Sequence, residues 1–470
     1  MDRKWWTLVV VCAATFMLLL DVTIVVVALP DIQSSLRTDF GEVQWVTDAY
    51  ALSLAALLLT SGSLADRFGR RRLFLVGLVV FTAGSVLCAA AGSPAMLIWS
   101  RAAQGVGGSI LFSTSLALLA TNFHGRERGV AFGAWGAITG VSTALGPLLG
   151  GLITSGISWR GVFWVNLPIG IAAIALTAVR VDESRSPHPT RPDWPGFATF
   201  TLGLVALVYG LIRAGQEGWS DGRAWACFAI AVVALGVFVA LEARLAHPMF
   251  DLGLFRIPTF VGGSTAAFAM NGSLFAMILY LTVYLQDDLG YSALQAGLRL
   301  LPIFATSMVA ATVAGRVSSH VPVRLLIGPG LLLVGIGLLL MTRVDDHTSW
   351  SVLVPGFLVA GLGSGMVNPP LASTAVGVVP VHRSGMASGV NTTFRQIGIA
   401  VGIAAYGTLY ASSLRQGHTV AHALDRLFVV AGSAAVIGGL LALTLIRSRD
   451  FVAHTPAREH REPVTEPAAS

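Results

Sequence analysis

Apolar runs near twenty residues long follow one another along almost the whole chain, separated by short polar breaks. An α-helix needs about 20 residues to cross a hydrocarbon core ~30 Å thick. That ruler predicts fourteen spanning helices, over residues 6–29, 44–64, 72–92, 95–121, 129–154, 159–179, 195–213, 224–243, 259–286, 291–316, 321–342, 350–379, 384–412 and 423–447. The expected fold class is an all-α membrane protein. An even number of spans puts both termini on one side. The segment 448–470 is polar and proline-containing, and is expected to be a disordered tail.

Composition agrees with the pattern. Of 470 residues, 54% are hydrophobic and 11% charged, against about 25% charged in a soluble domain. The 52 glycines suit close helix packing. The net charge of +6 sits mostly in arginines of short loops. With the N-terminus inside, twenty Lys and Arg fall in inner segments and seven in outer loops. This bias orients both termini toward the cytoplasm of a cell membrane. No nucleic-acid partner is implied.

Other chemistry is excluded in turn. Cys12, Cys88 and Cys227 lie far apart in apolar segments, with no spacing for zinc or a disulfide framework. The sole lysine is Lys4, so no GxxxxGK[ST] phosphate loop exists. No His/Glu metal cluster is apparent, and neither a cofactor nor an enzymatic activity is expected. The first apolar run lacks a small-residue cleavage site after it and reads as a retained helix.

The chain echoes itself. "RGVAFG" (Arg128–Gly133) opens the fifth span and "SGMASG" (Ser384–Gly389) the thirteenth, aligning Gly129, Ala131 and Gly133 with Gly385, Ala387 and Gly389. "GSLADRFGRRRL" (Gly62–Leu73) has a worn counterpart in "GRVSSHVPVRLL" (Gly315–Leu326). The echoes suggest two parallel six-helix halves, 1–180 and 257–447, with two inserted helices and their linkers at 181–256.

The same stretches carry a resemblance. "GSLADRFGRRRL" resembles the loop between the second and third helices of the major facilitator superfamily, through Gly62, Leu64, Ala65, Asp66, Arg67, Gly69, Arg70 and Arg71. Asp66 can cap a helix or meet an arginine across the loop, and Gly69 permits a tight turn. Such a loop can latch one access state. "LIWSRAAQGVGGS" (Leu97–Ser109) resembles the fourth-helix motif, with Arg101, Gln104, Gly105 and Gly107 in place. "GVSTALGPLLGG" (Gly140–Gly151) resembles the fifth-helix antiporter motif, through Gly140, Gly146, Pro147, Gly150 and Gly151. "LLLDVTIVVVALP" (Leu18–Pro30) resembles the first-helix signature of the fourteen-helix drug:proton antiporters, with Val26 where the family has asparagine. "WRGVFWVNLPIG" (Trp159–Gly170), "YLQDDLGYSALQAGLRLLP" (Tyr284–Pro302) and "SGMASGVNTTFRQIGIAVG" (Ser384–Gly402) look like the same subfamily.

The resemblance implies a proton-coupled antiporter that exports lipophilic drugs or antibiotics by alternating access. A facilitator or proton symporter of a small solute on the same fold is the alternative. The expected partners are a small-molecule drug, protons and the lipid bilayer, and the expected state is a monomer.

Asp21 is the residue the pattern makes conspicuous. An acid at the centre of a spanning helix costs roughly 2.5–3.5 kcal/mol. It lies eight residues before Leu29, or roughly 12 Å from the expected outer end of its span. Arg101 lies seven residues into the fourth span, or roughly 10 Å deep. The two can pair, either as a static structural bridge or as a proton-binding carboxylate with its affinity set by a moving arginine. Asp48 lies shallower and either assists or meets a cationic drug. Arg299 can snorkel near the outer end. Arg395 lies deeper, facing a wet cavity or bonding to carbonyls. The substrate pocket is expected between the halves near mid-membrane. Candidates are Tyr50, Gln104, Trp135, Asn271, Tyr280, Tyr284, Asn368, Asn391 and Gln396, each of which can equally serve in packing or an interhelical hydrogen bond.

Overall fold

The computed structural model describes residues 2–123, 125–185, 192–245, 248–318, 321–342, 344, 349–379 and 384–451, apart from the side chains at 125, 126, 128, 129, 372, 376, 384 and 385. Of the tail expected to be disordered at 448–470, Ser448–Asp450 form a 3-10 turn, while 452–470, with Arg458 and Arg461, lie outside the described residues, as do the loop arginines Arg191, Arg343 and Arg383.

Sixteen α-helices and no strand are present among the described residues. They are α1 (Arg3–Leu36), α2 (Phe40–Phe68), α3 (Arg70–Ala89), α4 (Pro94–Asn122), α5 (Gly125–Gly156), α6 (Gly161–Trp164) and α7 (Asn166–Arg180). Next come α8 (Trp194–Glu217) and α9 (Gly222–Glu242). The last are α10 (Pro258–Met270), α11 (Ala276–Val283), α12 (Ala293–Val317), α13 (Arg324–Leu340), α14 (Val354–Gly377), α15 (Ser384–Arg415) and α16 (Val420–Leu445). Helices α6 and α7 together make the sixth span, and α10 and α11 the ninth. Thirteen stretches of the described residues are long and apolar enough to cross a membrane, and α13 is a shorter apolar fourteenth.

Local chemistry sets the boundaries. Asp39 caps α2 by accepting the Glu42 N–H at 2.8 Å. Ser93 caps α4, with Pro94 in its first turn. Ser292 and Gln295 form a capping box on α12. One expected boundary moves: α1 does not stop at Leu29 but runs through Pro30 to Leu36. Pro30 removes one helical hydrogen bond, yet fully buried Ile32 holds the following turns against the core. The ninth span is interrupted by π-helical turns at Asn271–Phe275 and Tyr284–Asp288, a device that frequently marks functional helices.

In the first six spans α2 and α3 both pack on α4, and α1 packs on α5; in the last six α12 and α13 both pack on α14. At the end of the bundle carrying the termini, Arg3 pairs with Asp182, and the Lys4 ammonium donates to Glu127 at 2.8 Å. Near the C-terminal end, the Thr259 hydroxyl donates to Asp450 at 2.7 Å.

Two seams join the first and last six spans, one between α5 and α12 and one between α2 and α15. The first closes at the end of the bundle opposite the termini. There the Leu294 N–H donates to Ser155 Oγ at 3.0 Å, and a Cβ on Gly151 would stand 2.6 Å from the Ala293 carbonyl oxygen. Nearby, the Gln286 amide donates to the Val27 carbonyl at 2.8 Å. Toward the termini the same two helices diverge. Gly140, Gly136 and Gly133 meet nothing within 4 Å, and Met308 on α12 is 44% exposed. The α2/α15 seam stays in contact at both levels, through Gln44 with Ile403 and Leu59 with Gly389. The inserted α8 packs on both α2 and α15, and the Thr408 hydroxyl donates to the Leu211 carbonyl at 2.7 Å. In this conformation the bundle is closed at the far end and parts between α5 and α12 at the terminal end.

Candidate functional site

Asp21 is completely buried and sits at the centre of a polar network within the first six spans. One carboxylate oxygen pairs with the Arg101 guanidinium. The other accepts the Asn166 amide at 2.9 Å and the Gln104 amide at 3.2 Å. Arg101 is 1% exposed. It also donates to Gln104 Oε1 at 2.8 Å and to the Val46 carbonyl at 3.1 Å. Its guanidinium lies 4.3 Å from the Tyr50 ring centroid and 5.9 Å from that of Phe163. Ser85 joins the network by accepting from Gln104 at 2.7 Å and from Asn166 at 3.2 Å. Equal depth on α1 and α4 brings the charges together, and glycines let the helices close. A Cβ on Gly105 would lie 2.5 Å from the Tyr50 carbonyl oxygen of α2. The result is an anion with both oxygens satisfied and a cation covered by aromatic faces.

Asp48 has the opposite surroundings. It is fully buried, and among the described residues neither carboxyl oxygen has a hydrogen-bond partner. One helical turn away on α2, Gln44 reaches across the seam and donates to Tyr280 Oη at 2.8 Å and to the Ile403 carbonyl at 3.2 Å. The Tyr280 hydroxyl donates to the same carbonyl. Phe40, Tyr406 and Tyr410 surround this tyrosine, with ring centroids 5.8, 6.1 and 6.0 Å away. A clasp of one amide and four aromatic rings thus closes the α2/α15 seam beside a bare carboxyl group.

The glycines of the fifth-span motif do two jobs. Gly146 and Gly150 let α5 touch α1, where a Cβ on Gly150 would meet the Ile24 carbonyl oxygen at 2.7 Å. Gly151 approaches the backbone of α12, and Gly297 of α12 approaches the Pro147 carbonyl. Gly140 packs against nothing within 4 Å. A Gly151→Val substitution is expected to disfavour the conformation closed at this end by about 1–2 kcal/mol, a factor of roughly 5–30 in its population. Labelling of Ser155→Cys by a membrane-impermeant maleimide should speed up by that factor. Unchanged labelling would show that the α5/α12 contact does not govern closure.

The Asp66 loop bonds inside the first six spans. Asp66 caps no helix; it accepts from Arg70 at 2.8 Å, and Arg70 also donates to Thr121 of α4. Gly69 turns the chain at φ 111°, in the left-handed region that favours glycine. Arg71 donates to the Thr177 carbonyl at 3.3 Å, while Arg67 leans over Phe68. The Glu183 carboxylate accepts the Arg71 and Arg72 backbone N–H groups at 3.1 and 3.3 Å, and so caps α3. No bond of this loop to the last six spans is formed among the described residues.

The pocket candidates separate into groups. Tyr50 and Gln104 belong to the Asp21 network and are buried. Tyr280 forms the clasp, and Tyr284 is buried near it. Asn271 and Asn391 are buried, bonding to the Ala267 carbonyl at 2.9 Å and the Gly263 carbonyl at 3.4 Å. Trp135, Asn368 and Gln396 remain partly exposed. Trp135 donates to Thr15 Oγ1 at 2.9 Å, and Asn368 accepts from Arg395. Three contributors escaped sequence reading: Asn166, Gln44 and Glu183. Asn166 stood inside a quoted motif, but nothing local points its amide at Asp21.

Comparison with known proteins places this geometry. A sequence profile described as Major Facilitator Superfamily matches residues 11–403. The chain is 35% identical over 465 residues to "Multidrug resistance protein Stp" of Mycobacterium tuberculosis (strain CDC 1551 / Oshkosh), covering 97% of this chain and 85% of that protein. It is 36% identical over 430 residues to "Methylenomycin A resistance protein" of Streptomyces coelicolor, covering 91% and 89%. It is 34% identical over 418 residues to "Tetracenomycin C resistance and export protein" of Streptomyces glaucescens, covering 87% and 76%. Among solved structures, a peptide transporter POT in complex with sulfate superposes with a TM-score of 0.68 at 17% identity, over 93% of this chain and 94% of that one. That likeness concerns the fold alone.

Proposed function

This chain belongs to the Major Facilitator Superfamily, a family of multi-pass membrane transporters, and on that footing we propose that it exports lipophilic drugs or antibiotics in exchange for protons. The export half of this reading is supported by three relatives that are named for drug resistance or export and match over most of their length. Units 1–180 and 257–447 then rock against each other, with 181–256 as an inserted pair and both termini in the cytoplasm.

The proton half rests on one observation, the contrast between the two buried acids. Asp21 has donors on both carboxyl oxygens and a cationic partner. Among the described residues, neither carboxyl oxygen of Asp48 has a hydrogen-bond partner. Burying it as an anion would cost several kcal/mol, and a bound proton removes that cost. It lies beside the clasp that closes the far end. Opening the clasp wets this carboxyl group, and closing it dries it. One carboxyl group thereby exchanges a proton in step with the access change, while the Asp21–Arg101 pair adjusts to helix movement.

The part played by the Asp21 network is tested by proton-driven drug uptake into energised inside-out vesicles by the Asp21→Asn protein. Uptake is expected to fall to the level seen with a protonophore. Full wild-type activity would remove the Asp21 network from the coupling. The Asp48→Asn protein, in the same vesicles under a pH gradient, tests the proton carrier.

A further inference from the structure

Arg101, Arg299 and Arg395 lie within spanning helices, and they differ in their neighbours. Arg101 pairs with Asp21. Arg299 sits near the far end of α12, its guanidinium 3.6 Å from the Tyr291 ring centroid and 5.3 Å from that of Trp350. It also donates to the Gln295 carbonyl at 3.1 Å. Arg395 differs. Its hydrogen bond goes to the neutral amide oxygen of Asn368, and it forms no ion pair among the described residues.

Its depth makes this unusual. Arg395 is eleven residues from the start of α15 at Ser384, or roughly 16 Å, about half the thickness of a hydrocarbon core. The packing register agrees: Arg395 lies between the two contacts of α15 with α2, Gly389 with Leu59 and Ile403 with Gln44. A charge at that level is costly unless it faces water or an opposite charge. Both Arg395 and Asn368 are partly exposed. The amide nitrogen of Asn368 is used by the Ser364 carbonyl at 3.2 Å, which turns its oxygen toward the guanidinium. An amide oxygen orients a guanidinium but leaves its charge uncompensated.

We propose that Arg395, oriented by Asn368, is the recognition point for an anionic group on the cargo. The planar guanidinium fork matches a carboxylate, or an enolate of similar geometry. Ile399 stands one turn further along α15, partly buried, and offers an apolar surface beside the guanidinium. The cargo class is an amphipathic organic acid that enters from the terminal end. This inference rests on the export reading above and narrows its substrate.

The test compares two probes in inside-out vesicles: a fluorescent aromatic carboxylate and a quaternary-ammonium dye of similar size. Wild-type protein is expected to export the carboxylate in a protonophore-sensitive way. Arg395→Gln should raise the KM for the carboxylate about tenfold relative to that for the dye, as loss of a charge-assisted bond does. Arg395→Lys should restore part of the difference. Asn368→Asp, which gives Arg395 an internal counter-ion, should mimic Arg395→Gln although the cation remains. Thermal melting of each purified variant checks folding separately. An unchanged KM ratio in both Arg395→Gln and Asn368→Asp would make Arg395 a strap between α14 and α15 and overturn the proposal. Wild-type export of the dye but not the carboxylate would overturn it too, with the export reading intact. Export of neither probe, nor of any drug in a resistance panel, would remove the export reading, and this inference with it.

Discussion

An Arg101→Leu protein is expected to lose roughly 3–5 kcal/mol of stability and all proton-driven export, because the substitution strands the Asp21 carboxylate inside the bundle. The guanidinium is the cationic partner of Asp21, and the remaining amide donors from Gln104 and Asn166 cannot neutralise the charge. The Tyr50 and Phe163 rings that flank Arg101 would face a smaller side chain. Melting of the detergent-solubilised protein measures the first effect and vesicle uptake the second. The double variant Asp21→Asn/Arg101→Leu separates them. Replacing both members of a buried pair is often neutral for stability, so melting should return close to wild type while export stays absent. An Arg101→Leu protein that melts like wild type would mean that the pair is not buried as described.

Asp48→Asn is expected to leave the protein folded and to uncouple it. Asparagine keeps the side-chain shape but cannot gain or lose a proton. Each coupled proton and each pH unit across the membrane supply about 1.4 kcal/mol, a roughly tenfold cargo gradient. The variant should therefore collapse the cargo accumulation ratio toward one under a pH gradient. Exchange of labelled for unlabelled cargo, which needs no proton, should persist. The sign is definite: uphill export in the wild type rises with outside acidity and in the variant is flat. Retention of pH-driven accumulation by Asp48→Asn would move the proton elsewhere.

These two residues also show how far a linear reading reaches. The pairing of Asp21 with Arg101 follows from helix rise alone, because two residues at equal depth on neighbouring spans can meet. The same arithmetic places Asp48 but says nothing about its partners. Whether a carboxyl group deep in a bundle is bonded or bare depends on side chains from three or four helices, and that is why Asn166 and Gln44 went unassigned. Tyr50 and Gln104 show how the two readings of a polar group in a span are told apart. As polar groups on inward-facing helices they resembled pocket residues, yet close approach at Gly105 folds them into the charge network.

What is local to a segment was therefore readable in one dimension. The length of an apolar run measures a membrane crossing, and the glycine and proline motifs identify the family. Which end of the bundle is shut is written in no single segment. It arises where Gly151 meets Ala293, Gly297 meets Pro147, and Gln44 meets Tyr280, contacts between residues more than a hundred positions apart. Such contacts depend on how distant spans pack together, and only the folded chain decides that.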